Sequence, residues 1–135
     1  KLDDVMLAAG EPGRVVAVFD WDMCTLGDPL ADLGALLTYW TEPSDPRYLQ
    51  ATAMMPLGEP GFLSRAELVA RYAGKSGRAV EAIDFYHALG LFRLTVIVAQ
   101  IYIRYARGQT QDSRFAAMEF MIPALARRAR ELVAA

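Results

Sequence analysis

Cysteine and histidine each occur once, at Cys24 and His87. A single thiol excludes an internal disulfide and fits a reducing, cytoplasmic setting. One thiol plus one imidazole cannot furnish a zinc site of ordinary ligand count, so any metal here must be held by oxygen. Lysine stands only at Lys1 and Lys75, and 14 basic against 16 acidic side chains leave a net charge of -2. With no basic excess to neutralise a polyanion, nucleic acid is not an expected partner. Long apolar runs are also missing. The longest, residues 94–103, carries Gln100 and is flanked by Arg93 and Arg104, well short of the roughly 20 residues of a membrane span, and reads as a buried helix with no membrane role. The opening LDDVML lacks the basic and apolar regions of a signal peptide. The chain starts at Lys1 without an initiator methionine, so an upstream portion is expected.

What is present is material for a core. Hydrophobic residues make up 54% of the 135, a length that suits one domain, or one lobe of a larger one, and buries about two-thirds of its unfolded surface. The stretch that organises the rest is residues 15–33, VVAVFDWDMCTLGDPLADL. A β-branched run that stops at Asp20 and Asp22 reads as a buried strand delivering acids to a site. Residues 5–7 form a short partner strand, and the glycines and proline of residues 8–13 make the connection a hairpin. Antiparallel pairing then sets Asp3 and Asp4 beside Asp20. Three converging carboxylates repel one another unless a cation or hydrogen-bond donors compensate them, and oxygen ligands favour magnesium or calcium.

Downstream the pattern is helical. Asp28 is a good N-cap with Pro29 at the first helical position, and Leu30, Leu33 and Leu37 keep helical spacing to about Trp40. Residues 41–60 hold four prolines and read as a long loop with a helical turn near residues 48–54. The Ser64–Glu67 capping box starts a helix ending near Gly74. Residues 80–107 predict one long helix, or two abutting at Gly90, with Gly108 as the stop. The last helix begins near Asp112 or Ser113 and is expected to kink or divide at Pro123. The fold class is therefore α+β, mainly α: a short acidic hairpin (residues 1–27) followed by a helical subdomain (residues 28–135).

Capping and dipole effects explain Asp28 and Asp32 without any ligand. Cys24 has no basic neighbour in sequence to activate it. His87, beside Phe85 and Tyr86, reads as a packed, hydrogen-bonded histidine. Snorkelling or an ion pair explains Arg93 and Arg104.

Two resemblances compete for the paired aspartates. AVFDWDMCTL superficially resembles the first motif of haloacid dehalogenase-like phosphatases, in which a threonine follows two residues after the second Asp. Here that place is Cys24, and the downstream lysine and acidic pair of that family have no counterpart. The aspartates, Gly27-Asp28-Pro29 and Asp32-Leu33 together resemble the aminoglycoside phosphotransferase and choline kinase superfamily, whose fold is that of protein kinases. KLDDVML resembles the tail of its catalytic loop. The Ser64–Leu68 segment, Asp84-Phe85-Tyr86, Phe92-Arg93-Leu94, Arg104-Tyr105 and Gly108-Gln109-Thr110 resemble the subgroup fused to some acyl-CoA dehydrogenases.

That resemblance implies the C-terminal lobe of an ATP- and magnesium-dependent kinase that phosphorylates a hydroxyl of a small molecule, an aminoglycoside-like or hydroxyacyl compound. Asp20 becomes the metal ligand facing the nucleotide phosphates. Asp4 stands where the family normally has a metal-binding asparagine. Asp22 is placed near metal-bound water, and Asp32 pins the catalytic loop. Arg93 and Tyr102, with residues 41–62, are the candidates for acceptor binding. The catalytic base is expected two residues before Lys1 and the nucleotide lobe upstream, so the segment alone is expected to be inactive, and its exposed face to permit a homodimer. The alternative of a different class is a non-catalytic scaffold lobe.

Overall fold

The computed structural model describes residues 2–22, 24–55 and 58–134. A 3-10 turn at Leu2–Asp4 enters β1 (Val5–Ala8), which pairs antiparallel with β2 (Glu11–Val18). The turn is tighter than the six-residue connection predicted, because Gly10 adopts φ 78° and the second strand begins at Glu11. Register runs Val5 to Val18, Met6 to Ala17 and Leu7 to Val15, so Val16 is passed over as a bulge. The hairpin is as predicted, but its burial is not. Val15, Val16, Val18 and Phe19 are all about half exposed, because the ribbon has only two strands and no helix covers it.

Helix α1 (Pro29–Tyr39) starts as the sequence predicts: the Asp28 side chain accepts a hydrogen bond from the Leu30 amide at 2.9 Å. The long connection contains α2 (Arg47–Gln50) and is closed onto α3 (Arg65–Ser76) by Trp40, whose indole donates to the Leu63 carbonyl at 2.7 Å. Both halves of the capping box form at Ser64 and Glu67. This helix runs two residues beyond Gly74, since Gly77, at φ 68°, supplies the left-handed cap.

Helix α4 (Ile83–Ala106) is unbroken. Gly90 is a crossing point and not a joint. A Cβ there would lie 2.6 Å from Thr38 Oγ1 and 2.8 Å from the Gly34 carbonyl oxygen, and a Cβ on Gly34 would lie 2.3 Å from the Tyr86 carbonyl oxygen. The two glycines let α1 and α4 touch backbone to backbone. By length and composition α4 could cross a membrane; here it packs between α1 and α5 (Met118–Val133) as the central helix. A 3-10 turn at Ser113–Ala117 precedes α5, and Pro123 lies inside this helix without dividing it. The core is Leu49, Leu91, Leu94, Val98 and Leu125, with Trp40 and Met55 forming a smaller cluster.

Candidate functional site

The acids of the hairpin are placed by its pairing. The Phe19 amide donates to the Asp4 carbonyl at 2.7 Å, one step beyond the Val5–Val18 pair. Asp4 and Asp20 therefore meet at one end of the ribbon, as antiparallel pairing requires. Among the described residues Asp20 is the only non-glycine with positive φ, at 62°. Left-handed backbone costs an L-residue roughly 1 kcal/mol, less for Asp than for most, and such conformations collect at functional sites. The turn that follows is pinned by Trp21, whose indole donates to the Val18 carbonyl at 2.7 Å and whose carbonyl accepts from the Cys24 amide at 2.9 Å. This clasp sets the direction in which the chain leaves Asp20.

The other predicted positions distribute as follows. Asp22 is exposed and its side chain makes no hydrogen bond among the described residues. Asp32 is also exposed and reaches no hairpin backbone; it lines a cavity of about 160 Å3 together with Thr38, Gly90 and Arg93. The fold thus brings Asp32 and Arg93 together at the α1–α4 crossing. It does not bring Tyr102 to them. Nine positions along α4 from Arg93 amount to about 13 Å and half a turn, and Tyr102 faces α5, where burial and then the Glu119 carboxylate push its hydroxyl pKa up. Within residues 41–62, Glu42 and Asp45 turn their carboxylates to Arg65 of α3.

Tyr86 was not predicted to matter. Its hydroxyl donates to Asp28 Oδ2 at 2.5 Å, so the residue that caps α1 also ties the end of the acidic loop to α4. This bond, then the Leu30 amide, holds the Asp28 carboxyl below its usual range, and Asp28 pushes the Tyr86 hydroxyl up. The capping role read from sequence is confirmed. The 58-residue separation of the pair left no local signal for the second bond.

Among the described residues no group of three His, Cys, Asp or Glu side chains is arranged to hold a metal ion. The three-carboxylate cluster expected from the hairpin is therefore not formed, although Asp4 and Asp20 share one end of the ribbon. An oxygen-only pair fits magnesium, which is bound through one or two carboxylates with substrate phosphates completing its shell. It does not fit zinc.

A family model described as "Phosphotransferase enzyme family" matches residues 1–68, which cover the hairpin, α1, the long connection and the start of α3. The chain belongs to this family. Among curated proteins, "Acyl-CoA dehydrogenase family member 11" of Rattus norvegicus is 33% identical over 83% of this chain and 14% of its own length. The protein of that name from Gallus gallus is 26% identical over 98% of this chain and 17% of its own length. "Acyl-CoA dehydrogenase family member 10" of Mus musculus is 30% identical over 84% of this chain and 11% of its own length. The phosphotransferase-family chain therefore spans less than a fifth of the relatives it matches. No solved structure matches it.

The family sets the haloacid dehalogenase reading aside, and the isolated antiparallel ribbon agrees. It also gives Asp20, Asp28 and Asp32 a common setting, since all three fall inside the matched residues.

Proposed function

We propose that this chain provides the metal-binding and acceptor side of an ATP- and magnesium-dependent kinase that phosphorylates a hydroxyl group on a small molecule. The observation that carries the reading is Asp20, held in left-handed backbone at the end of the hairpin where Asp4 also arrives. In this reading Asp20 and Asp4 hold magnesium, and Asp22 accepts hydrogen bonds from its water. Held there, magnesium would supply positive charge against the transferring phosphoryl group. The chain's own part is positioning: Trp21 fixes the turn, and the Asp28–Tyr86 bond fixes the loop against the helices. Arg93, beside Asp32, is a candidate contact for an anionic part of the acceptor. The relatives carry acyl-CoA dehydrogenase names, which favours a hydroxyacyl thioester over an aminoglycoside.

One observation favours a second reading, a non-catalytic lobe. Asp4 replaces the asparagine of the resemblance and adds negative charge beside a triphosphate, which weakens nucleotide binding unless magnesium is present. Calorimetry of magnesium-ATP binding separates the two, using this chain and a form extended through an upstream nucleotide lobe, each with Asp20→Ala as control. Binding by the extended protein that Asp20→Ala abolishes is the expected result. An extended wild type that binds no nucleotide in the presence of magnesium replaces the kinase with the scaffold.

A further inference from the structure

Helix α4 is apolar on two opposite sides, and only one of them is covered. Its inner side, with His87, Leu91, Leu94 and Val98, is buried. On the outer side lie Phe85, Leu89, Phe92, Val96, Ala99 and Ile103, spaced alternately four and three residues apart. Phe85 and Phe92 are 60% and 61% exposed, and Leu89, Val96 and Ile103 lie between 36% and 44%. Turning about 100° per residue, the six stay within about 40° of one line along the helix. Their alternation is that of a seam that packs against a second helix. A helix that is apolar all round is normally enclosed, yet α1 and α5 leave this side open.

The stripe reads the same in both directions. Reversed about Leu94, Phe85 exchanges with Ile103, Leu89 with Ala99 and Phe92 with Val96. An antiparallel second copy therefore meets it in register, with a larger side chain opposite a smaller one in every layer, as a self-complementary two-fold contact requires. The ends of the stripe match in charge. Glu81, in the turn before the helix, and Arg107, its C-cap, extend the same line and also exchange about Leu94; both are exposed and form no ion pair among the described residues. Within one chain the roughly 36 Å length of α4 keeps them apart. In an antiparallel pair each acid comes to the other copy's arginine. Arg93 flanks the stripe near its middle, where the two copies' guanidinium groups approach, and it shares a cavity with Asp32 of its own chain, which offsets the like charges.

We infer that the outer side of α4 is a homodimer interface, two copies pairing antiparallel through the Phe85–Ile103 stripe about a two-fold axis at Leu94. Beside the stripe, α5 adds Ala129 and Val133 to a groove of about 430 Å3 that Phe85, Leu89 and Phe92 also line, so the second copy has a concave seat. The exposed apolar side chains of the stripe and Val133 amount to roughly 500 Å2 per copy. Pairing then buries roughly 1,000 Å2, the least that a specific interface needs. None of these contacts involves the hairpin acids.

Sedimentation equilibrium of the 135-residue chain tests this. Wild type is expected as a dimer of 14.9 kDa chains, and Phe92→Glu as a monomer whose circular dichroism keeps the wild-type helix signal. Glu81→Arg and Arg107→Glu should each weaken the dimer about fivefold, and the double variant should recover wild-type affinity because the pairs re-form with reversed sign. These two positions are exposed, so the charge variants decide the matter even if Phe92→Glu disturbs the fold. A wild type that stays monomeric to about 100 μM overturns the inference. So does a dimer that survives Phe92→Glu, or a double variant no tighter than the single ones. A monomer that cosediments with phosphatidylglycerol vesicles would assign the stripe to a lipid surface and overturn it as well.

Discussion

The hairpin and the α1–α4–α5 stack are held together by opposite means. In the hairpin, backbone pairing and one indole clasp define the geometry while Val15, Val16, Val18 and Phe19 stay half exposed. In the stack, Leu91, Leu125 and Val98 are at most 1% exposed, and Gly34 and Gly90 bring the backbones themselves into contact. Burial of a leucine contributes roughly 2 kcal/mol, so the stack carries the stability. The hairpin, freed from that duty, leads into Asp20, among the described residues the only non-glycine in left-handed backbone.

The contrast is easiest to break in the core. Leu91→Ala should cost about 4 kcal/mol by removing a fully buried side chain, whereas Val16→Thr on the ribbon should change stability by less than about 0.5 kcal/mol. Urea unfolding of the two variants measures the difference, and similar losses would show that the hairpin is part of the core after all. Gly34→Ala should cost about 3 kcal/mol, because a methyl group 2.3 Å from a carbonyl oxygen forces the helices apart. A thermal melt of that variant beside Gly13→Ala, where a Cβ meets nothing within 4 Å, checks that contact and not glycine content is responsible.

A pH titration sharpens the comparison from the other side. His87 is lowered to about 4, by burial first and then by Arg65 and Arg128, against about 6.5 in the unfolded chain. Its folded pKa being depressed, the unfolded state binds the proton more readily between those values. The contribution of the neutral ring is complete above pH 6.5 and is lost as pH falls towards 4, reaching about 3 kcal/mol. Denaturation curves across that window should show the slope in wild type and its absence in His87→Leu. The smallest expected effect has the reverse sign. Asp20→Gly should stabilise the fold by up to about 1 kcal/mol by relieving the left-handed φ, while abolishing magnesium-dependent nucleotide binding. A destabilised Asp20→Gly protein would mean that the carboxylate supports the turn and not a ligand.

Legibility in the sequence followed the distance over which each feature acts. The Asp28 cap, the Ser64–Glu67 box and the hairpin all involve residues within a few positions of one another or joined by one tight turn, and the sequence pattern points to each of them. The end of α3 was misplaced by two residues because Gly74 and Gly77 are both plausible stops, and only backbone geometry chooses between them. Gly90, left open in sequence as a joint between two helices or a position within one, lies within one helix. Its low helix propensity is visible in sequence, but the Thr38 and Gly34 atoms that require it belong to another helix. The same holds for Tyr86, whose partner Asp28 lies 58 residues away, and for Arg65 with Glu42, 23 residues away.

For this protein, then, the sequence alone determined the family, the α+β order of elements and the acids at the hairpin end. All three rest on local spacing and on residue types that short-range sterics and capping can use. Tertiary structure decided that α1 and α4 touch through glycine, and that His87, Arg128 and Asp84 share a cavity. Those arrangements depend on burial and on partners brought from distant segments, which is where the free energy of packing acts and where the order of residues along the chain is silent.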